Sequence, residues 1–182
     1  MRRLALVALL VTGCLGAPDD GDGERPDAAP DRLDAGGENL LPNGDFEIGL
    51  AGWDTDATNA DLFDDGPSHG GERSASVCLR DVPLPDYYFL FWTELVAVDP
   101  GSYRFTAWAR VGEGAGGQLL AGVISGADLY VTSPSVAVGD AWEPVAVEVT
   151  LAEANQLTVA IRAAPSGAGD CFVVDDAQLV RQ

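Results

Sequence analysis

The side chains best equipped for recognition are aromatic rings and guanidinium groups set one residue apart in a strand-like stretch. In Tyr103-Arg104-Phe105-Thr106-Ala107-Trp108-Ala109-Arg110-Val111, apolar residues at the odd positions alternate with Arg104, Trp108 and Arg110. An extended chain turns successive side chains to opposite faces, so Trp108 stands with two arginines on the face away from the core. A flat ring and planar N–H donors on an open face can hold a ligand non-covalently but supply no nucleophile or base. A second run, Tyr87-Tyr88-Phe89-Leu90-Phe91-Trp92, must place aromatics on both faces of a strand. Its parity is open: Tyr88 and Trp92, or Tyr87 and Phe91, share a surface, and core packing takes about half of the run.

Other chemistries find less support. The single histidine, His69, lies in Gly66-Pro67-Ser68-His69-Gly70-Gly71, a loop by composition, and is expected at the surface. Without a second histidine or a Cys-x-x-Cys pair it builds no familiar zinc site. No nucleophile elbow, phosphate loop or zinc-protease helix occurs, so catalysis is not expected. Asp54, Asp56, Asp61, Asp64 and Asp65 lack the glycine and terminal glutamate of an EF-hand and read as a polar loop. Twenty-nine acidic residues against ten basic ones, all arginine, give a formal charge of −19, which repels phosphate backbones and argues against a nucleic-acid partner.

The elements that must position these residues are strands. Val145, Val147 and Val149 repeat the alternation, as do Leu157, Val159, Ile161 and Ala163. Residues 95–98 lead through Asp99-Pro100-Gly101-Ser102, a tight turn, into the strand that begins at Tyr103. Segments 74–79, 87–92, 119–124, 129–132 and 172–180 bring the number to about eight or nine. No stretch sustains a helical period, and the chain length allows one domain. The pattern predicts an all-β fold, an antiparallel β-sandwich or jelly roll, over residues 39–182.

Ahead of the domain lies an address. Met1-Arg2-Arg3 followed by an apolar run, Leu4 to Val11, has the order of a secretory signal. The run closes on Val11-Thr12-Gly13-Cys14, which resembles the lipobox of bacterial lipoproteins. That resemblance implies a signal peptide over 1–13, lipidation of Cys14 and, with Leu15 rather than Asp after the cysteine, sorting to the outer membrane. The alternative is an ordinary signal peptide cleaved near Ala17. The stretch 14–38, rich in Asp, Gly, Ala and Pro, reads as an extended acidic tether, so the membrane is met through the lipid anchor only. With Cys14 lipidated, Cys78 and Cys171 remain as a pair in an oxidising compartment, which suggests a disulfide. One observation opposes it: Cys78 alternates away from Val77 and Leu79, whereas Cys171 shares parity with Ala177 and Leu179, so the two face different sides unless a bulge intervenes.

The opening Asn39-Leu-Leu-Pro-Asn-Gly-Asp-Phe-Glu47, followed by Gly52-Trp53, resembles the start of carbohydrate-binding modules of families 4, 9 and 22. Gly71 to Val77, Val98 to Phe105, Trp142 and Val174-Asp175-Asp176-Ala-Gln-Leu179 follow in the family's order. The resemblance implies a galactose-binding-like jelly roll without catalytic activity, binding a polysaccharide or oligosaccharide on a concave outer sheet face. On that reading Trp108, Arg104, Arg110, Tyr88 and Trp92 form the contact surface, while Trp53, Tyr103 and Trp142 belong to the core or rim. It also implies a structural Ca2+ held by Glu47 and Asp175 with main-chain carbonyls. The rival is a structural or protein-interaction sandwich of the same fold without a sugar site.

Overall fold

The computed structural model describes residues 37–55, 60–80, 88–114, 116–126, 129–164 and 169–182, with the side chains of Tyr88 and Phe89 outside the description. These residues belong to one compact unit, Asp31–Gln182. The signal peptide, Cys14 and nearly all of the tether lie outside the described residues, as do Asp56 and Tyr87.

Twelve strands and no helix form from the described residues. In chain order they are β1 (Trp53–Asp54), β2 (Ala60–Phe63), β3 (Ala75–Leu79), β4 (Tyr88–Thr93), β5 (Val96–Val98) and β6 (Gly101–Glu113). There follow β7 (Gly117–Ser125), β8 (Leu129–Thr132), β9 (Val136–Val138), β10 (Glu143–Leu151), β11 (Asn155–Ala164) and β12 (Cys171–Arg181). One sheet runs β1-β4-β11-β7-β8, with β5 pairing β11 beside β4 and β9 pairing β7 beside β8. The other runs β10-β6-β12-β3-β2, and every pairing in both is antiparallel. The all-β sandwich expected from the alternation is the observed fold. Beyond the nine expected strands, β1, β2 and β9 are two to four residues long, too short for a period of two to stand out.

The core lies between the sheets. Tyr103, Phe105, Ala107, Ala109 and Val111 of β6 are buried, against Val145, Val147 and Val149 of β10 and Leu157, Val159, Ile161 and Ala163 of β11. Phe46, Trp53 and Phe91 close one end as a ring cluster with centroids 5.0 to 6.3 Å apart. The Trp53 indole N–H donates to the Asn43 carbonyl at 3.0 Å, so its one polar atom is satisfied inside the core. The opening segment is packed backbone to backbone on β12: Ala177 N–H donates to Gly44 O at 2.7 Å. A side chain at Gly44 would put Cβ 1.8 Å from the Ala177 carbonyl oxygen, so glycine is required there for close approach.

The cysteines pair, as Cys78–Cys171. They are direct cross-strand partners in the β3–β12 ladder. The parity objection fails because β12 is bulged between Asp175 and Gln178, with Asp176 at φ 46°. Odd residues before the bulge, Cys171 and Val173, face outward, and odd residues after it, Ala177 and Leu179, face the core.

Candidate functional site

A sandwich has two sheets, and the expected contact residues are divided between them. Trp108, Arg104 and Arg110 stand on the outer face of the five-stranded sheet; Tyr88 and Trp92 are on β4, in the other sheet. The single contact surface expected from the sequence is therefore corrected: Trp92 is separated from Trp108, Arg104 and Arg110 by the thickness of the core. Nothing in the local alternation states which sheet a strand joins.

On the five-stranded face, Trp108 lies between Pro144 of β10 and Asp175 of β12. Its ring is half-buried and stacked on the His69 imidazole, centroids 4.4 Å apart and planes 16° apart. The same imidazole meets Trp142 edge-on at 5.3 Å, and the Arg110 guanidinium lies 5.9 Å from the Trp142 ring centre. Arg104, four residues from Trp108 and so about 13 Å along the strand, sits between Glu148 and Val180 and has a buried Nε that makes no hydrogen bond among the described residues.

His69 departs from its expected place at the surface. Its side chain is only 3% exposed, its Nδ1 is 2.7 Å from Asp176 Oδ2, and its Nε2 is buried with no partner among the described residues. The reason is Asp175, a fully buried carboxylate on an outward position of β12. Oδ2 accepts the N–H groups of His69 at 2.7 Å and Gly70 at 3.0 Å, and Oδ1 accepts the N–H of Asp176 at 2.7 Å. Burial pushes the Asp175 pKa up to about 6 despite these bonds. Glu47 holds the other end of the loop, its Oε1 accepting the N–H groups of Glu72 at 2.7 Å and Arg73 at 3.1 Å. Gly71, at φ 69° and with a would-be Cβ 2.1 Å from Glu47 Oε1, allows that clasp.

Glu47 and Asp175 are thus both drawn to one loop, but in this arrangement they do not fit the calcium cage that the resemblance implies. N–H donors occupy the space around three of their four oxygens, where a cation would need to sit. No group of three or more His, Cys, Asp or Glu able to hold a metal occurs among the described residues.

The outer face of the seven-stranded sheet is built differently. Trp92, Ala160, Gly122 and Thr132 are directly opposite one another across β4, β11, β7 and β8. The row spans three strand spacings, about 14 Å, with a half-buried indole at one end and two of the smallest residues in its floor. Tyr130, 50% exposed, stands two residues from Thr132 on β8. Arg162 reaches it from β11, donating from Nη1 to the Tyr130 hydroxyl with its guanidinium 5.3 Å from the ring centre. Arg162 is opposite Leu120 and Tyr130 opposite Ile124, so the pair crosses β7 at Gly122, where no side chain stands in the way. The resulting surface presents an indole, a phenol and a guanidinium plane, and Ala160 and Gly122 are buried. Sequence reasoning placed residues 129–132 in a strand without singling out Tyr130; its parity opposite Val131 was the available signal. For Tyr88 the register is opposite Ala163.

No protein-family model matches the sequence, and no curated protein matches it. Solved structures share the fold. The carbohydrate-binding module TmCBM61, determined in complex with β-1,4-galactotriose, is 20% identical, with 80% of this chain and 99% of that one aligned at a TM-score of 0.60. The CBM22-1 xylan-binding domain of Paenibacillus barcinonensis Xyn10C is 15% identical over 80% of this chain and 95% of that one, TM-score 0.62. A family 16 carbohydrate-binding module is 19% identical over 79% and 100%, TM-score 0.57. At these identities the likeness is one of fold.

Proposed function

We propose that the protein is a non-catalytic glycan-binding module, and that the ligand lies on the outer face of the seven-stranded sheet. The observation that carries this reading is the Trp92–Ala160–Gly122–Thr132 row with the Tyr130–Arg162 pair crossing it. Pyranose rings present an apolar C–H face that stacks on flat π-systems, and hydroxyls that accept from a guanidinium. The small residues in the middle of the row are buried, so the Trp92 and Tyr130 rings and the Arg162 guanidinium make up the contact surface, and the row is as long as a short oligosaccharide. The fold neighbours support the reading, since one was determined in complex with β-1,4-galactotriose and another is a xylan-binding domain. The Trp108 face is the weaker candidate, because His69 already occupies one side of that ring.

The experiment is retention of the full chain on a panel of immobilised polysaccharides, compared with Tyr130→Ala and Trp92→Ala. Each loss of a stacking ring should weaken binding about tenfold, the equivalent of ~1.4 kcal/mol. Retention unaltered in both variants would move the site off this face, and no retention on any glycan would favour the interaction-domain reading. In the same proposal the module is displayed from the outer membrane by lipid on Cys14, supported by the lipobox-like Val11-Thr12-Gly13-Cys14. Cys14→Ser should release the protein from the membrane fraction.

A further inference from the structure

The 66–73 loop closes the outer face of the five-stranded sheet at Trp108, and its first residues, Gly66 and Pro67, wall a cleft farther along the sheet. There Phe63, Ser76, Val173 and Arg110 form one cross-strand row, and Asp61, Cys78, Cys171 and Glu113 the next. Arg110 turns its guanidinium to Trp142, and Asp61 is paired with Arg80. What remains is a cleft of about 370 Å³ lined by the disulfide cysteines, Phe63, the Asp65–Pro67 segment and Glu113, with Gly66 against Ser76 and Val173. That volume is within the range of small-ligand sites.

Its chemistry is one-sided. Phe63 leaves 43% of its surface open, an uncommon exposure for a phenylalanine. Asp65 and Glu113 are exposed carboxylates with no ion-pair partner among the described residues, in contrast to Asp61 and Asp64, each held by an arginine. Ser76, only 9% exposed, lines the cleft and its hydroxyl has no hydrogen-bond partner among the described residues. A polar group so deeply placed is ordinarily satisfied, so its vacant valence points to something that enters the cleft. The lining carries no cation: its side chains accept hydrogen bonds, and the ligand must bring donors and positive charge. An aromatic wall beside a carboxylate suits an ammonium group on an apolar body. Two carboxylates line the one cleft, which calls for two such groups on one short ligand.

We infer that this cleft is a second ligand site, taking a short amine-bearing glycan of the glucosamine disaccharide type. Phe63 stacks on one sugar, Asp65 and Glu113 receive the ammonium groups, and Ser76 meets a ring hydroxyl. The inference stands apart from the reading of the opposite face.

The test is calorimetric titration of the full chain with glucosamine disaccharide, its N-acetylated counterpart and spermidine, an amine without a ring. The disaccharide should bind, and acetylation, which removes the charge, should weaken it at least tenfold. Asp65→Asn with Glu113→Gln, and separately Phe63→Ala, should each weaken it at least tenfold without moving the melting temperature, since all three side chains are exposed. Trp92→Ala and Tyr130→Ala should leave this binding unchanged, which separates it from the glycan face. The inference is overturned if the folded protein fails to bind the disaccharide, if the acetylated sugar binds as tightly, or if spermidine matches the disaccharide.

Discussion

Removing the Cys78–Cys171 disulfide should destabilise the protein without altering its native structure. The two residues are direct cross-strand partners, so the β3–β12 ladder holds them together whether or not the sulfurs are bonded. The bond therefore acts chiefly on the unfolded chain, where it ties together positions 93 residues apart. Chain entropy assigns about 4.7 kcal/mol to a loop near 100 residues long, and measured disulfides deliver about 2–4 kcal/mol, so a loss of about 3 kcal/mol is expected. For a unit of this size that corresponds to a melting temperature lowered by roughly 6–12 °C. The assay is urea unfolding followed by circular dichroism and tryptophan fluorescence, on oxidised protein, reduced protein and the Cys78→Ala/Cys171→Ala double variant. Reduced protein and variant should agree with each other and keep the oxidised far-ultraviolet spectrum in the absence of urea. A loss below about 1 kcal/mol would refute the loop-entropy argument. Loss of the native spectrum on reduction would show instead that the bond holds the ladder.

Three further outcomes follow from particular contacts. Gly44→Ala, which drives Cβ to 1.8 Å from the Ala177 carbonyl, should cost at least 3 kcal/mol in urea unfolding or prevent folding, since the obstacle is backbone and cannot rotate away. Asp175, with a folded pKa of about 6 against 3.8 for the free side chain, binds its proton more tightly when folded. Its contribution is fully present below about pH 4 and lost as pH rises through 6, on the order of 2 kcal/mol in all. Asp175→Asn should flatten that part of the stability–pH curve, and an identical slope in the variant would refute the assignment. Because Glu47 and Asp175 accept backbone N–H groups, chelator or added calcium should leave the melting temperature within about a degree; a rise of several degrees with calcium would mean that the loop re-forms around the ion.

The fold was legible because its long strands carry their own proof: alternation over nine or more residues in β6, β10 and β11 sorts core from surface with no tertiary information. Trp108, Arg104 and Arg110 were placed outward on that basis, and they are. What a strand's own residues cannot encode is its partner. Trp92 and Trp108 each read as an aromatic on a strand face, yet chain pairing sends them to opposite sides of the molecule. The bulge after Asp175 was equally silent, because an extra residue leaves no mark in composition, although it decides that Cys171 and Asp175 point away from the side that Ala177 and Leu179 take. His69 was misplaced for a related reason. Glycine, proline and serine around it describe a loop correctly, but whether a loop lies in solvent or is strapped to a sheet depends on acceptors more than a hundred residues away.

That strap also accounts for the difference between the two faces. A carboxylate on an outward strand position would ordinarily stay hydrated, but Asp175 lies mid-strand beside the Trp108 indole, where water has little access. A desolvated carboxylate without donors is costly, so the cheapest arrangement brings backbone N–H groups down onto it. The His69–Gly70 segment supplies them, and in doing so lays an imidazole over Trp108 and closes the middle of the five-stranded face. The seven-stranded face has no such demand: its central outward residues, Ala160 and Gly122, are small and apolar and call for no covering loop. One ionisable residue at position 175 thus draws a loop over the aromatic surface of its own sheet, a demand that the outward residues at the middle of the other sheet do not make. The start of the same loop, Gly66 and Pro67, walls the cleft that remains on the five-stranded face.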